Sequence, residues 1–180
     1  QVPNRVQTHV HQDHMAKFST SKQQQKIYMS NATKKLLEAE FNADLPHRQN
    51  IHAVELGEEV QLEHSVLSLF TGAHMLGGVQ VRAALDSGEV VGYSSDFGSD
   101  CEAIKVDNLV LDSTYGSPKS VRKYSQELAE EALVEKVREG LQVGSVHIKA
   151  FPGTIHRALD LLSSEFEMTP FIGSKTFIHS

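Results

Sequence analysis

The sequence is short of cysteine and of positive charge, and it has no long apolar run. Cys101 is the one cysteine in 180 residues, and 17 Lys and Arg face 23 Asp and Glu, a net charge of −6. A lone cysteine excludes an intramolecular disulfide framework and any multi-cysteine zinc site. No apolar run approaches the roughly 18 residues of a membrane helix, and no signal-peptide pattern opens the chain. The expected setting is therefore cytoplasmic, or nuclear in a eukaryote, with no membrane partner and no secretion. The negative balance argues against a broadly basic binding surface. It leaves room for a local groove or a metal-centred site that handles phosphate. What the chain does have is 39% hydrophobic residues and ten histidines, unevenly placed. The hydrophobic content suffices for a sizeable core in one domain, or in one domain and part of a second.

The chain begins at Gln1 and reaches its densest chemical motif within eight residues. Catalytic loops usually follow a strand, and only Val2–Thr8 is available to supply one. Both this start and the strand-like Thr176–Ile178 at the other end lead to the expectation of a fragment, with some site residues beyond it.

Patterning predicts strands at Val2–Thr8, Ile51–Leu56, Glu59–Leu62 and Val66–Phe70, with Lys26–Ser30 a further short apolar run. Further strands are expected at Val79–Leu85 and Glu89–Tyr93, joined by an Asp86-Ser-Gly88 hairpin, and at Asn108–Asp112, read as buried. A helix capped by Ser30 or Asn31 runs through Glu40, with Leu36, Leu37 and Phe41 on its buried face. After Pro118 the rhythm changes. An amphipathic helix is expected over Ser120–Gly140, closed by that glycine. A strand at Ser145–Ala150, a helix over Gly153–Glu165 and the strand at Thr176–Ile178 follow. The boundary between the two regions is placed near Ser117.

Thr8-His9-Val10-His11-Gln12-Asp13-His14 puts four metal-competent side chains into six positions. Imidazole nitrogen suits zinc and similar divalent ions, and carboxylate oxygen adds a harder ligand. In an extended entry His9 and His11 point the same way, and a turn after them can aim Asp13 and His14 at a second point nearby. His74 lies in the glycine-rich Gly72-Ala-His-Met-Leu-Gly-Gly78, directly after an apolar strand. Asp96 and Asp112 also stand at strand ends, in Gly92-Tyr-Ser-Ser-Asp96 and Leu111-Asp-Ser-Thr-Tyr-Gly116. Taken singly, each of these three is an ordinary turn or cap residue. Together they suggest one catalytic edge, to which the first motif brings a metal. The remaining groups read more plainly. His47, His52 and His64 are surface or structural. His156 enters a helix. Lys119, Arg122 and Lys123 form a small basic cluster that reads equally as a non-specific contact to a nucleic-acid backbone or as a solvated helix face, and Cys101, between two acids, has no expected role.

The series HVHQDH at 9–14, GAHMLGG at 72–78, YSSDF at 93–97 and LDSTYG at 111–116 resembles the metallo-β-lactamase fold. Within that fold it looks like the nucleic-acid-processing branch that carries a β-CASP domain. Ala150-Phe-Pro-Gly-Thr-Ile-His-Arg-Ala-Leu159 is most similar to the branch's short exonuclease-like, mRNA 3′-end-processing-like group. The resemblance implies an α/β fold of the αββα sandwich type, fragmentary, with residues 1–117 as the core and 118–180 as the start of a β-CASP-like insertion. It implies two divalent metal ions, with zinc favoured by the histidine-rich set. His9, His11 and His74 would hold the first, Asp13 and His14 the second, and Asp96 would bridge them. Asp112 would support a ligand histidine, and Asp13 would help to align the attacking hydroxide, so that both count as catalytic groups.

The implied activity is metal-dependent hydrolysis of phosphodiester bonds in RNA or single-stranded DNA, as an exo- or endonuclease. Two metal ions roughly 3.5–4 Å apart would activate a shared water and offset the developing charge. The alternatives are a hydrolase of the same superfamily acting on a thioester, lactone or small phosphoester, and a non-catalytic subunit that keeps the fold. The sequence departs from the family in having Ser95 where Gly is usual and Gly78 where Ser is frequent. The family's later histidines, one of which completes the second metal site, have no match among His147, His156 and His179.

Overall fold

The computed structural model describes residues 2–21, 25–40, 45, 48–150 and 152–167. The chain divides into two compact units, which part between Asp112 and Ser113. Unit 1 mixes strand and helix, as the α/β class requires, and unit 2 is helical among the described residues.

Unit 1 begins with strand β1 (Asn4–Val6), a 3₁₀ turn at Gln12–His14, strand β2 (Lys26–Ser30), helix α1 (Asn31–Glu40) and strand β3 (Ile51–Val54). The three strands are parallel, in the order β1-β2-β3. A second, five-stranded sheet follows: β4 (Val60–Gln61), β5 (Ser65–Thr71), β6 (Val79–Leu85), β7 (Val90–Tyr93) and β8 (Asn108–Val110), side by side in chain order.

Period-two alternation along β2 explains the layering. Ile27 and Met29 point to one face and pack with Phe18, Leu37 of α1 and Leu45. Tyr28, between them, points to the other face and packs with Val54, Leu67, Leu69 and Val79. The order is helix, sheet, sheet, with one apolar layer between each pair. Side chains that alternate across a pleat make both layers from a single strand.

The second sheet decides where chemistry can sit. β5 runs antiparallel to β6, β6 antiparallel to β7, and β7 parallel to β8. The carboxyl ends of β5, β7 and β8 therefore share one edge, where Thr71 pairs with Val79 and Tyr93 with Val110. The exit of β1 reaches the same edge, because the Val79 amide donates to the Thr8 carbonyl at 3.1 Å.

Helix α1 is capped as expected: the Ser30 hydroxyl accepts from the Thr33 amide at 3.1 Å. Its first turn also pins the loop after β5. Ser30 Oγ and Thr33 Oγ1 donate to the Gly77 carbonyl at 2.8 and 2.9 Å. Gly77 has φ +77°, and a Cβ there would stand 2.6 Å from the Thr33 nitrogen. Only glycine can make that approach.

Strand β8 corrects one expectation. Asn108–Asp112 was read as a buried strand, yet β8 ends at Val110 and is exposed throughout, with Val110 at 60%. It is the last strand of its sheet and pairs only with β7. An apolar triplet records a wish to be buried but cannot show that a covering layer exists.

Unit 2 contains helices α2 (Gln126–Val143) and α3 (Pro152–Phe166). Helix α2 starts later than expected because Ser125 caps it, its hydroxyl accepting from the Leu128 amide. Val121 and Tyr124, assigned to the helix face, precede the cap and are exposed. Gly140 does not close the helix, which runs on to Val143. A Cβ at Gly140 would lie 2.6 Å from Val146 Cγ2, so the residue makes room for a neighbour instead of ending a helix. Ser145–Ala150, expected as a strand, is irregular and has no ladder partner among the described residues. The expected Thr176–Ile178 strand, Phe41, His47 and His179 lie outside the described residues. Val137 is buried on α2, and Ala158 and Leu162 on α3. Arg138–Glu165 and Arg157–Glu130 ion pairs join the two helices.

Candidate metal centre

The four strand ends deliver four motifs to one place. His9, His11, His74 and Asp96 offer ligand atoms that all lie within 4.8 Å of one another. His74 Nε2 is 3.1 Å from His11 Nδ1 and 3.5 Å from Asp96 Oδ2. His9 Nε2 is 3.8 Å from the same oxygen. Zinc–nitrogen bonds of 2.0–2.1 Å in a tetrahedron separate ligand atoms by about 3.4 Å. The side chains thus stand close to the spacing at which one ion would be gripped.

The other carboxylate oxygen faces elsewhere. Asp96 Oδ1 is 3.4 Å from His14 Nε2, which is 3.5 Å from Asp13 Oδ2. One carboxylate therefore addresses His9 and His74 with one oxygen and His14 with the other. Asp13 is the outermost of the set, 78% exposed. Asp112 is half-buried, its amide donating to Ser94 Oγ at 2.8 Å. Its charge favours the protonated form of His74, against burial that lowers the His74 pKa overall.

The electrostatics of His9 are those of a ring held neutral. Burial pushes its pKa down to about 3, helped by the neighbouring His14, His11 and His74. Three or more imidazoles packed together cannot all carry protons cheaply. Its Nε2 is buried and has no hydrogen-bond partner among the described residues, an arrangement that costs free energy unless something binds there. The donor set, three histidines and a carboxylate, is one that borderline divalent ions accept. The residues present fit a metal.

All seven residues singled out from the sequence, His9, His11, Asp13, His14, His74, Asp96 and Asp112, gather at this edge. Two other described histidines of unit 1 lie elsewhere. His52 stacks on Tyr28 with ring centroids 5.3 Å apart, and His64 sits on the surface beside Glu63 and Asp86. His147 is exposed and His156 lies on α3, both in unit 2. Arg122 lies over the Tyr115 ring, 4.6 Å from its centroid.

The sequence reading missed the supports. Gln7 is fully buried and donates to the His9 and His14 carbonyls at 2.6 and 3.1 Å. Arg5 donates to Gln7 Oε1 at 2.7 Å, to the Ala16 carbonyl at 2.9 Å and to the His14 carbonyl at 3.3 Å. Together they hold the loop that carries the first motif. A polar pair at positions 5 and 7, alternating into a strand end, was the available signal.

The class defined so far is a mixed α/β chain with a histidine–carboxylate cluster at the carboxyl edge of a sheet. Its helix-sheet-sheet layering is consistent with the metallo-β-lactamase fold. The chain belongs to the same family as an uncharacterized protein encoded in the lig 3′ region of Acidianus ambivalens, with 31% identity over 122 residues, 66% of this chain and 86% of that relative. It is also similar to an RNase J-like protein of Methanocaldococcus jannaschii, 26% identical over 87% of this chain and 42% of the relative. Among solved structures, a protein of unknown function from Enterococcus faecalis shares the fold at TM-score 0.61 and 16% identity, over 93% of this chain and 45% of that one. The chain thus spans less than half of both the RNase J-like relative and the Enterococcus structure. No family model matches the chain.

Proposed function

We propose that this chain carries the metal site of a metallo-β-lactamase-superfamily hydrolase, and that the whole site cleaves phosphodiester bonds in RNA or single-stranded DNA. The observation that carries the reading is His9 Nε2, buried amid His11, His74 and Asp96 without a hydrogen-bond partner among the described residues. The similarity to an RNase J-like protein supports nucleic acid as the substrate. Divalent ions, zinc by preference, would supply Lewis-acid activation of water and offset charge on the phosphate when bound.

The chain's own residues do the rest. His9, His11 and His74 would hold one ion, and Asp13 and His14 would hold the second. Asp96 would serve both, since one of its oxygens faces His9 and His74 and the other faces His14. Asp13, exposed at the rim beside His14, would help to align the attacking hydroxide. Asp112, whose charge favours the protonated form of His74 against the burial that lowers its pKa, would support that ligand. Residues 1–117 would be the core, with the first compact unit running to Asp112, and 118–180 would open a β-CASP-like domain. No helix among the described residues is long and apolar enough to cross a membrane, and the single cysteine suits a cytoplasmic setting.

Elemental analysis of protein purified without chelator tests the site, with His9→Ala/His11→Ala as control. About two zinc ions per chain, falling in the control, is the expected result. Labelled single-stranded RNA and DNA, run beside a panel of thioesters, lactones and small phosphoesters, then test the substrate. Cleavage of the small esters alone would overturn the nuclease assignment, and metal content indifferent to His9 and His11 would overturn the site.

A further inference from the structure

Ser95 is fully buried and sits in the left-handed region, at φ +53°. That conformation is unfavourable for a residue with a Cβ, and glycine is its usual occupant. Ser95 is no product of a permissive surface loop, and its hydroxyl supplies a reason for its presence. Ser95 Oγ donates to Thr8 Oγ1 at 2.9 Å. It also lies 3.4 Å from His9 Nδ1, while Thr8 Oγ1 lies 3.2 Å from the same nitrogen. Ser95, Thr8 and His9 are all buried, so no bulk water competes for these bonds.

Proton counting then fixes the ring. A neutral imidazole carries one proton, on one nitrogen or the other. A proton on Nε2 would have no partner within hydrogen-bond reach, since Asp96 Oδ2 is 3.8 Å away. A proton on Nδ1 meets two hydroxyl oxygens. One of them, Ser95 Oγ, has already spent its hydrogen on Thr8 and can only accept. In the other tautomer Thr8 Oγ1 would donate to Nδ1 and a buried Nε2–H would be left without a partner among the described residues, so the Nδ1-protonated form, which presents the Nε2 lone pair to the cluster, is favoured. A ligand histidine is tuned in this way when its second nitrogen donates to a fixed acceptor.

We propose that Ser95, acting with Thr8, is a positioning residue that sets the tautomer of His9 and so raises the affinity of the site for a divalent ion. This rests on the metal-centre reading above. The test uses the full chain with Ser95→Gly, which relieves the backbone, and Ser95→Ala, which keeps the Cβ. Two readouts are taken: ring-nitrogen NMR spectra of the metal-free protein, which report the tautomer directly, and zinc affinity by competition with a chromophoric chelator. In the parent, His9 is expected as the Nδ1–H tautomer. Both variants should show a mixture, with zinc affinity weakened about tenfold or more. Ser95→Gly should keep or raise the melting temperature while losing affinity, which separates tuning from folding. Affinity within about twofold of the parent would overturn the role of Ser95, as would an unchanged tautomer in both variants. If His9→Ala binds zinc as the parent does, the metal-centre reading fails instead, whatever Ser95 does.

Discussion

Unit 1 buries Ile27, Met29, Leu37 and Leu69 completely, whereas unit 2 buries only Val137, Ala158 and Leu162 among its described apolar residues. Val121, Tyr124, Leu128, Leu141 and Val143 of unit 2 are exposed. Unit 1 is tied by strand ladders between residues distant in sequence, and unit 2 by two helices with ion pairs across them. The difference shows why the chemistry sits where it does. Groups that must stand within a few tenths of an ångström of one another need rigid supports. The two apolar layers of unit 1 supply them. Unit 2 offers charged and apolar surface, which suits contact with something else better than precise placement of ligands.

Acid should break the comparison most strongly. His9 binds its proton near the ordinary value of 6.5 when unfolded, but only at about 3 when folded. Between those values the unfolded chain holds the extra proton, so stability rises with pH and is lost as pH falls. In the metal-free protein the full loss at about pH 3 is on the order of 5 kcal/mol. The lowered pKa of His74 adds in the same direction. Denaturant melts from pH 7 to pH 4 measure this, and His9→Ala should flatten the slope.

The same truncation in each unit sharpens the contrast. Leu37→Ala opens a void among Phe18, Ile27, Met29 and Leu45 and is expected to cost about 3–5 kcal/mol. Leu162→Ala removes a side chain from a thinner core and should cost nearer 2 kcal/mol, the low end for such changes. Equal losses by urea denaturation would mean that the helical unit is packed as firmly as the sheets.

Within the site, Asp13→Asn separates the two metal positions. The side chain is at the rim, so the ion held by His9, His11 and His74 should remain while hydrolysis falls about 10²-fold. Metal content and rate, measured on one preparation, decide it. The smallest effect is expected at Arg138, whose pair with Glu165 is exposed. Arg138→Gln should change stability by less than about 1 kcal/mol, and less still in salt.

Local patterns proved legible where one strand carries its own instructions. Lys26–Ser30, a short apolar run in the sequence, and Val79–Leu85, beside its hairpin turn, form strands with those bounds, and the Ser30 cap opens α1. The site was legible through residue types: imidazoles and carboxylates at strand ends are informative because few other roles need them there. Less could be read in unit 2. Gly140 carries the signal of a helix end and serves instead as a gap for Val146. Ser145–Ala150 has strand propensity and no ladder. In both, the decisive partner is remote in sequence, and no local pattern names it.

By itself the sequence determined which groups can bind a metal, which strands alternate and where α1 begins, because these depend on side-chain chemistry and short-range backbone geometry. Only the tertiary structure decided that Thr8, His9 and Ser95 touch, 86 residues separating the last two. It alone made Ser95 left-handed, left β8 as an exposed edge and gave the two oxygens of Asp96 different neighbours. These follow from strand order and direction, which bring the ends of β1, β5, β7 and β8 to one edge. Strand order is settled by the packing of whole layers, and no single stretch of sequence contains it.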